Sequence, residues 1–79
     1  MTPAECRTAR AALGWTKVRL AKQAGVSLWS VKHFELYGTG AADGVVALMR
    51  EALVAGGVRI GRHSGFSTVT FREGKNPAP

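Results

Sequence analysis

Caps and stops divide the first half of the chain so regularly that few folds remain open to it. Thr2-Pro3-Ala4-Glu5 is a helix start, with a hydroxyl to cap, a proline suited to the first helical position and a glutamate to complete a capping box. The helix it opens stops at Gly14, because glycine accepts the left-handed backbone that ends a helix. Thr16 caps a second helix that Gly25 ends, and Ser27 caps a third that Tyr37-Gly38-Thr39-Gly40 breaks. Asp43 opens a fourth, closed by Gly56-Gly57. Each segment carries one apolar stripe at helical spacing. The stripes are Cys6, Ala9 and Leu13; then Leu20, Ala21 and Ala24; then Val31 and Phe34; then Val45, Leu48, Ala52 and Leu53. The spacing predicts helices over 3–13, 17–24, 28–36 and 44–55, which together form one domain over residues 1–57.

After Gly57 the period changes from helical to alternating. Val58-Arg59-Ile60 and Phe66 to Arg72 read as strands, joined by Gly61-Arg62-His63-Ser64-Gly65 as a five-residue hairpin connection. Two strands alone are marginal, so this segment, 58–72, needs the helices or a second chain to pair with. Phe66 and Phe71 lie five apart, so in a regular strand they point to opposite faces, one toward the helices and one toward a partner. Residues 73–79 have the composition of a disordered tail. The expected fold is mainly α, four helices followed by a short C-terminal β-hairpin or strand pair.

Size and composition narrow the function. A chain of 79 residues buries about 60 % of its unfolded surface, and twelve of its apolar residues are alanine, so its core is thin. There is no room for a doubly wound nucleotide-binding unit or a barrel enzyme. Cys6 is the one cysteine; it forms no internal disulfide, which points to a reducing, cytoplasmic setting. It sits on a core stripe and has no catalytic partner in sequence. The longest apolar run, Val45 to Met49, is far short of a membrane span, and an acid and an arginine occupy the place of a signal peptide's apolar stretch. His33 and His63 with one cysteine do not make a zinc site. Gly38-Thr39-Gly40 lacks the lysine of a phosphate loop, and the five acids offer no paired general acid and base. Neither enzymatic activity, metal nor cofactor is expected.

Charge points to a partner. The formal net charge is +6. Residues 1–34 hold six bases (Arg7, Arg10, Lys17, Arg19, Lys22, Lys32) against Glu5; residues 35–57 are net acidic; residues 58–79 are basic again. Bases gathered in one half of a small domain form the electrostatic footprint of a polyanion binder.

The stretch from Thr16 to Glu35 joins these threads. It comprises a short helix, a tight turn at Gly25 and a second capped helix, with Ala21 small enough for the two to cross closely. These are the requirements of a helix-turn-helix, whose second helix enters the DNA major groove. Over residues 2–57, and more weakly to 72, the chain resembles the Cro and phage-repressor (XRE) helix-turn-helix family of bacterial and phage regulators. The matching residues are Arg10, Leu13-Gly14, Leu20-Ala21, Gly25-Val26-Ser27, Val31, Phe34 and Glu35. The resemblance implies a repressor-like domain in which Ser27, Leu28, Trp29, Lys32 and His33 face the bases. Thr16 and Lys17 would touch phosphate, and Arg10 and Glu35 would pair between the first and third helices. It implies a homodimer on a palindromic site in double-stranded DNA, acting as a transcriptional repressor in a bacterial or phage-encoded setting.

The chain departs from the family where Leu28 and Trp29 replace polar side chains and where Leu36-Tyr37 precede Gly38. Leu28, Trp29, Leu36 and Tyr37 would form an exposed apolar patch, a sign of a protein interface. The alternative is therefore an adaptor or antiactivator that keeps the fold and binds a protein through Leu28, Trp29 and Tyr37. Trp29 is expected to be exposed, and Trp15 to pack on the first two helices.

Overall fold

The computed structural model describes residues 1–63 and 66–71, with side chains described for 1–61, 69 and 70. The elements run α1 (Pro3–Ala12), α2 (Lys17–Ala24), α3 (Leu28–Tyr37), α4 (Asp43–Gly56), β1 (Val58–His63) and β2 (Phe66–Phe71). This is a mainly α domain with a C-terminal strand pair. The expectations for Arg72, for the tail 73–79 and for the opposed side chains of Phe66 and Phe71 lie outside the described residues.

The caps form as the sequence predicts. Thr2 Oγ1 accepts from the Glu5 amide at 3.1 Å while Glu5 Oε1 accepts from the Thr2 amide at 2.7 Å, a complete capping box. Thr16 Oγ1 accepts from the Arg19 amide at 3.0 Å, and Ser27 Oγ from the Ser30 amide at 3.1 Å. Helix α4 begins differently. Its N-cap is Ala42, which has no side chain to cap with, and Asp43 stands in the first turn, where its charge complements the helix dipole.

One core joins all the elements. Cys6 and Ala9 of α1, Leu20 and Ala21 of α2, Val31 and Phe34 of α3, Met49 and Leu53 of α4, and Val58 and Ile60 of β1 are buried together. Helix α1 packs on α3 and on the hairpin, and α4 packs on α2 and β1. Arg50 ties α4 to β1 by donating from Nη2 to the Ile60 carbonyl at 3.2 Å.

Two expectations are corrected. Leu48, expected on the inner stripe of α4, is 44 % exposed, and its neighbour Met49 is fully buried. Positions 45–48–52 and 45–49–53 both fit a helical period; the placement of α4 against α2 and β1 selects the second. The hairpin connection is shorter than five residues, because pairing continues from Val58↔Phe71 through Gly61↔Thr68 to His63↔Phe66. Cross-strand pairing overrides the turn preference of Gly61. Trp15 is half-buried, as expected at the α1–α2 junction, but its ring also lies against the end of α4, where a Cβ on Gly56 would come within 2.9 Å of it. Among the described residues no helix is long and apolar enough to cross a membrane.

Candidate nucleic-acid interface

The α2–α3 unit depends on a three-residue reversal. Gly25 adopts a left-handed conformation (φ 69°), which an L side chain rarely takes. It lets the Gly25 amide donate to the Lys22 carbonyl at 3.3 Å and the Val26 amide to the Ala21 carbonyl at 3.0 Å. The last carbonyls of α2 are thus satisfied as the chain turns. Ser27 is then extended (ψ 148°) and caps α3. Helices α2 and α3 pack on each other, and the small Ala21 is buried in the shared core.

The inner face of α3 is apolar at Val31 and Phe34 and ionic at Glu35, which is 1 % exposed. Arg10 grips this carboxylate with two hydrogen bonds, Nε to Oε2 at 2.9 Å and Nη2 to Oε1 at 3.0 Å. Its remaining Nη1 donates to the Trp15 carbonyl at 2.9 Å, so one guanidinium fixes α3 and the α1–α2 junction together. Cys6 Sγ donates to Glu35 Oε2 at 3.3 Å, and Arg7 Nη1 donates to the Glu35 carbonyl oxygen. Burial, with the Glu35 carboxylate beside it, pushes the Cys6 thiol up to about 12, so this sulfur is held as a neutral thiol. Hydrogen bonding to Glu35 raises the already high pKa of Arg10. This cluster is an anchor: three side chains of α1 hold α3 by one buried residue.

The outer face carries the residues named for base contact. Ser27 and Lys32 are exposed, Leu28 is 39 % exposed and Trp29 57 %, as expected for Trp29. His33, also named for base contact, is less exposed than these. It is half-buried, stacked on Trp29 with ring centroids 4.0 Å apart and tilted against Tyr37 at 5.5 Å. Trp29, His33 and Tyr37 form a column at four-residue spacing along α3. That spacing is visible in the sequence and was the available signal for it. Gly40 backs the column. Its φ is +83°, and a Cβ there would stand 2.7 Å from His33 Cβ and 3.1 Å from the Trp29 ring. Leu36 (62 % exposed) and Tyr37 (68 %) extend the apolar surface toward the C-terminus.

Thr16 and Lys17 stand at the N-terminus of α2, Thr16 exposed and Lys17 partly so. The basic half is smaller than its residue count. Arg7 and Arg10 are bound to Glu35, and the Arg19 guanidinium lies 5.2 Å from the centroid of the Trp15 ring. Lys17, Lys22 and Lys32, with Arg19, are the cations of α2 and α3. Sequence reasoning missed Arg7, whose one signal was its place a turn before Arg10. Among the described residues no group of three His, Cys, Asp or Glu side chains is arranged to hold a metal ion. No protein-family model matches the chain, and comparison with curated proteins gives no significant match.

Proposed function

We propose that this chain is a sequence-specific DNA-binding transcriptional regulator, a repressor that acts as a homodimer on a palindromic operator in the bacterial or phage-infected cytoplasm. The observation that carries the reading is the α2–turn–α3 unit. Its second helix is buried along Val31, Phe34 and Glu35 and leaves Ser27, Leu28, Trp29 and Lys32 exposed at its N-terminal half. A helix held from behind and bare at its start is what the major groove accepts. Lys17 and the first turn of α2 serve phosphate, through charge and through amides that have no partner inside the helix. Twofold symmetry doubles the few base contacts that one small domain makes. The two-stranded sheet supports dimerisation, since among the described residues each strand has one edge without a strand partner and edge-to-edge pairing with a second copy would cover it.

The test is a gel shift with DNA from upstream of the chain's own gene against random competitor, together with mass in solution over a concentration series. A retarded, competitor-resistant complex and a dimeric mass are expected. A chain that stays monomeric at high concentration and binds all DNA equally contradicts the reading. A second reading, an adaptor that binds a protein through α3, is favoured by one observation: Leu28, Trp29, Leu36 and Tyr37 are all exposed on the same helix. No retardation of any DNA, with capture of a protein that Trp29→Ala abolishes, would select it.

A further inference from the structure

Resting on the DNA-binding reading above, we infer that α3 recognises its site through the 5-methyl groups of thymine, with Leu28 and Trp29 as the reading side chains. A helix in the major groove distinguishes base pairs by two chemistries. Donor and acceptor patterns are read best by Arg, Lys, Asn and Gln, and the thymine methyl is read by apolar contact. Between Leu28 and Tyr37 there is no Arg, Asn or Gln. Glu35 is turned inward and held by Arg10 and Cys6. The Ser27 hydroxyl donates to Ser30 Oγ at 2.9 Å and accepts the Ser30 amide, so it is occupied in the cap. His33 is half-buried, its ring stacked on Trp29 and tilted against Tyr37. Lys32 is the exposed cation of α3, and one lysine does not specify a site.

The first two helical residues, which a helix-turn-helix presents to base edges, are Leu28 and Trp29. Trp29 is already ordered, stacked on His33 and backed by Gly40, so docking it loses little side-chain freedom. Charge decides the occupant. From Thr16 to Tyr37 the sole acid is Glu35, and it is buried, while Lys17, Arg19, Lys22 and Lys32 surround the apolar start of α3 in sequence. An apolar helix start flanked in sequence by cations, on a helix whose one acid is buried, fits a methyl-bearing groove walled by phosphates.

The experiment selects a site for the full-length chain from a randomised duplex pool, then replaces each thymine in turn by deoxyuridine, which removes the methyl and keeps the base pair. At contacted thymines affinity should fall about fourfold per methyl, compounding to roughly fifteenfold when both half-sites are changed. Leu28→Ala or Trp29→Ala should weaken binding to the thymine site and erase the difference between thymine and uracil at its own position. A selected site whose affinity is unchanged by every thymine-to-uracil replacement overturns methyl reading and leaves the DNA-binding function standing. Failure to select any sequence overturns both, and capture of a protein by the same face of α3 would then account for its apolar character.

Discussion

Glu35 concentrates more consequence than any other single residue. Its carboxylate is removed from water and compensated by Arg10 and Cys6, while its carbonyl takes Arg7. Truncating it strands a mostly buried guanidinium, and breaking a buried pair from one side costs about 3 kcal/mol. For a chain whose whole stability is about 4–12 kcal/mol at typical values per residue, Glu35→Ala should lower the urea midpoint sharply. A midpoint within error of the wild type would contradict the anchor. Cys6 gives a second expectation. With the thiol raised to about 12 in the folded state, its contribution to stability is complete below the ordinary thiol pKa of about 9 and is lost as pH rises toward 12. Native protein should resist iodoacetamide at about pH 8.5 and react fully in denaturant, and Cys6→Ala should flatten the alkaline loss of stability. Rapid labelling of the native thiol would refute its burial. The Arg10–Glu35 pair was legible only through the family resemblance. Arg7 and Cys6 join it because of how α1 crosses α3, which periodicity in one helix does not encode.

At the scale of elements, what could be read depended on whether the signal was local. Caps and stops are local chemistry, so α1 to α3 begin where Thr2, Thr16 and Ser27 indicate. The phase of α4 is not local. Its start has no side-chain cap, its apolar residues are dense enough to offer two stripes, and the neighbours choose Met49 over Leu48. Met49→Ala should therefore destabilise the fold by about 2–4 kcal/mol and Leu48→Ala by no more than about 0.5. Chemical denaturation of the two variants measures this directly, and equal effects would mean that the phase is wrong. The hairpin shows the same limit, since Gly61 looks like a turn residue until β2 pairs with it. On the outer face of α3 the candidate site was largely legible, because exposure follows from the inward positions of Val31 and Phe34. The half-burial of His33 was not, because it depends on Gly40 approaching from the α3–α4 connection.

At the scale of the molecule, charge separates into internal and external parts. Arg7 and Arg10 are bound to Glu35, so fewer of the chain's 11 lysines and arginines are free to meet a polyanion than that count suggests. Lys17→Ala and Lys32→Ala should weaken DNA binding while leaving the thermal midpoint unchanged. If Lys17 meets phosphate, its loss should lower affinity for all sequences and make the logarithmic salt slope shallower by about one unit. Unaltered affinity in both variants at moderate salt would remove this face from the DNA contact. The strands bear on the whole in another way. Val58 and Ile60 lie beyond the glycines that close α4, yet they are buried with Leu20, Met49 and Leu53. The glycine pair is therefore a bend and not a seam, and a fusion or chimera that borrows residues 1–57 would inherit a lidless box. Such a fragment should show exposed apolar surface and an early, broad thermal transition, while one ending after Phe71 should melt cooperatively; the smallest portable version of this domain has to carry its own strands.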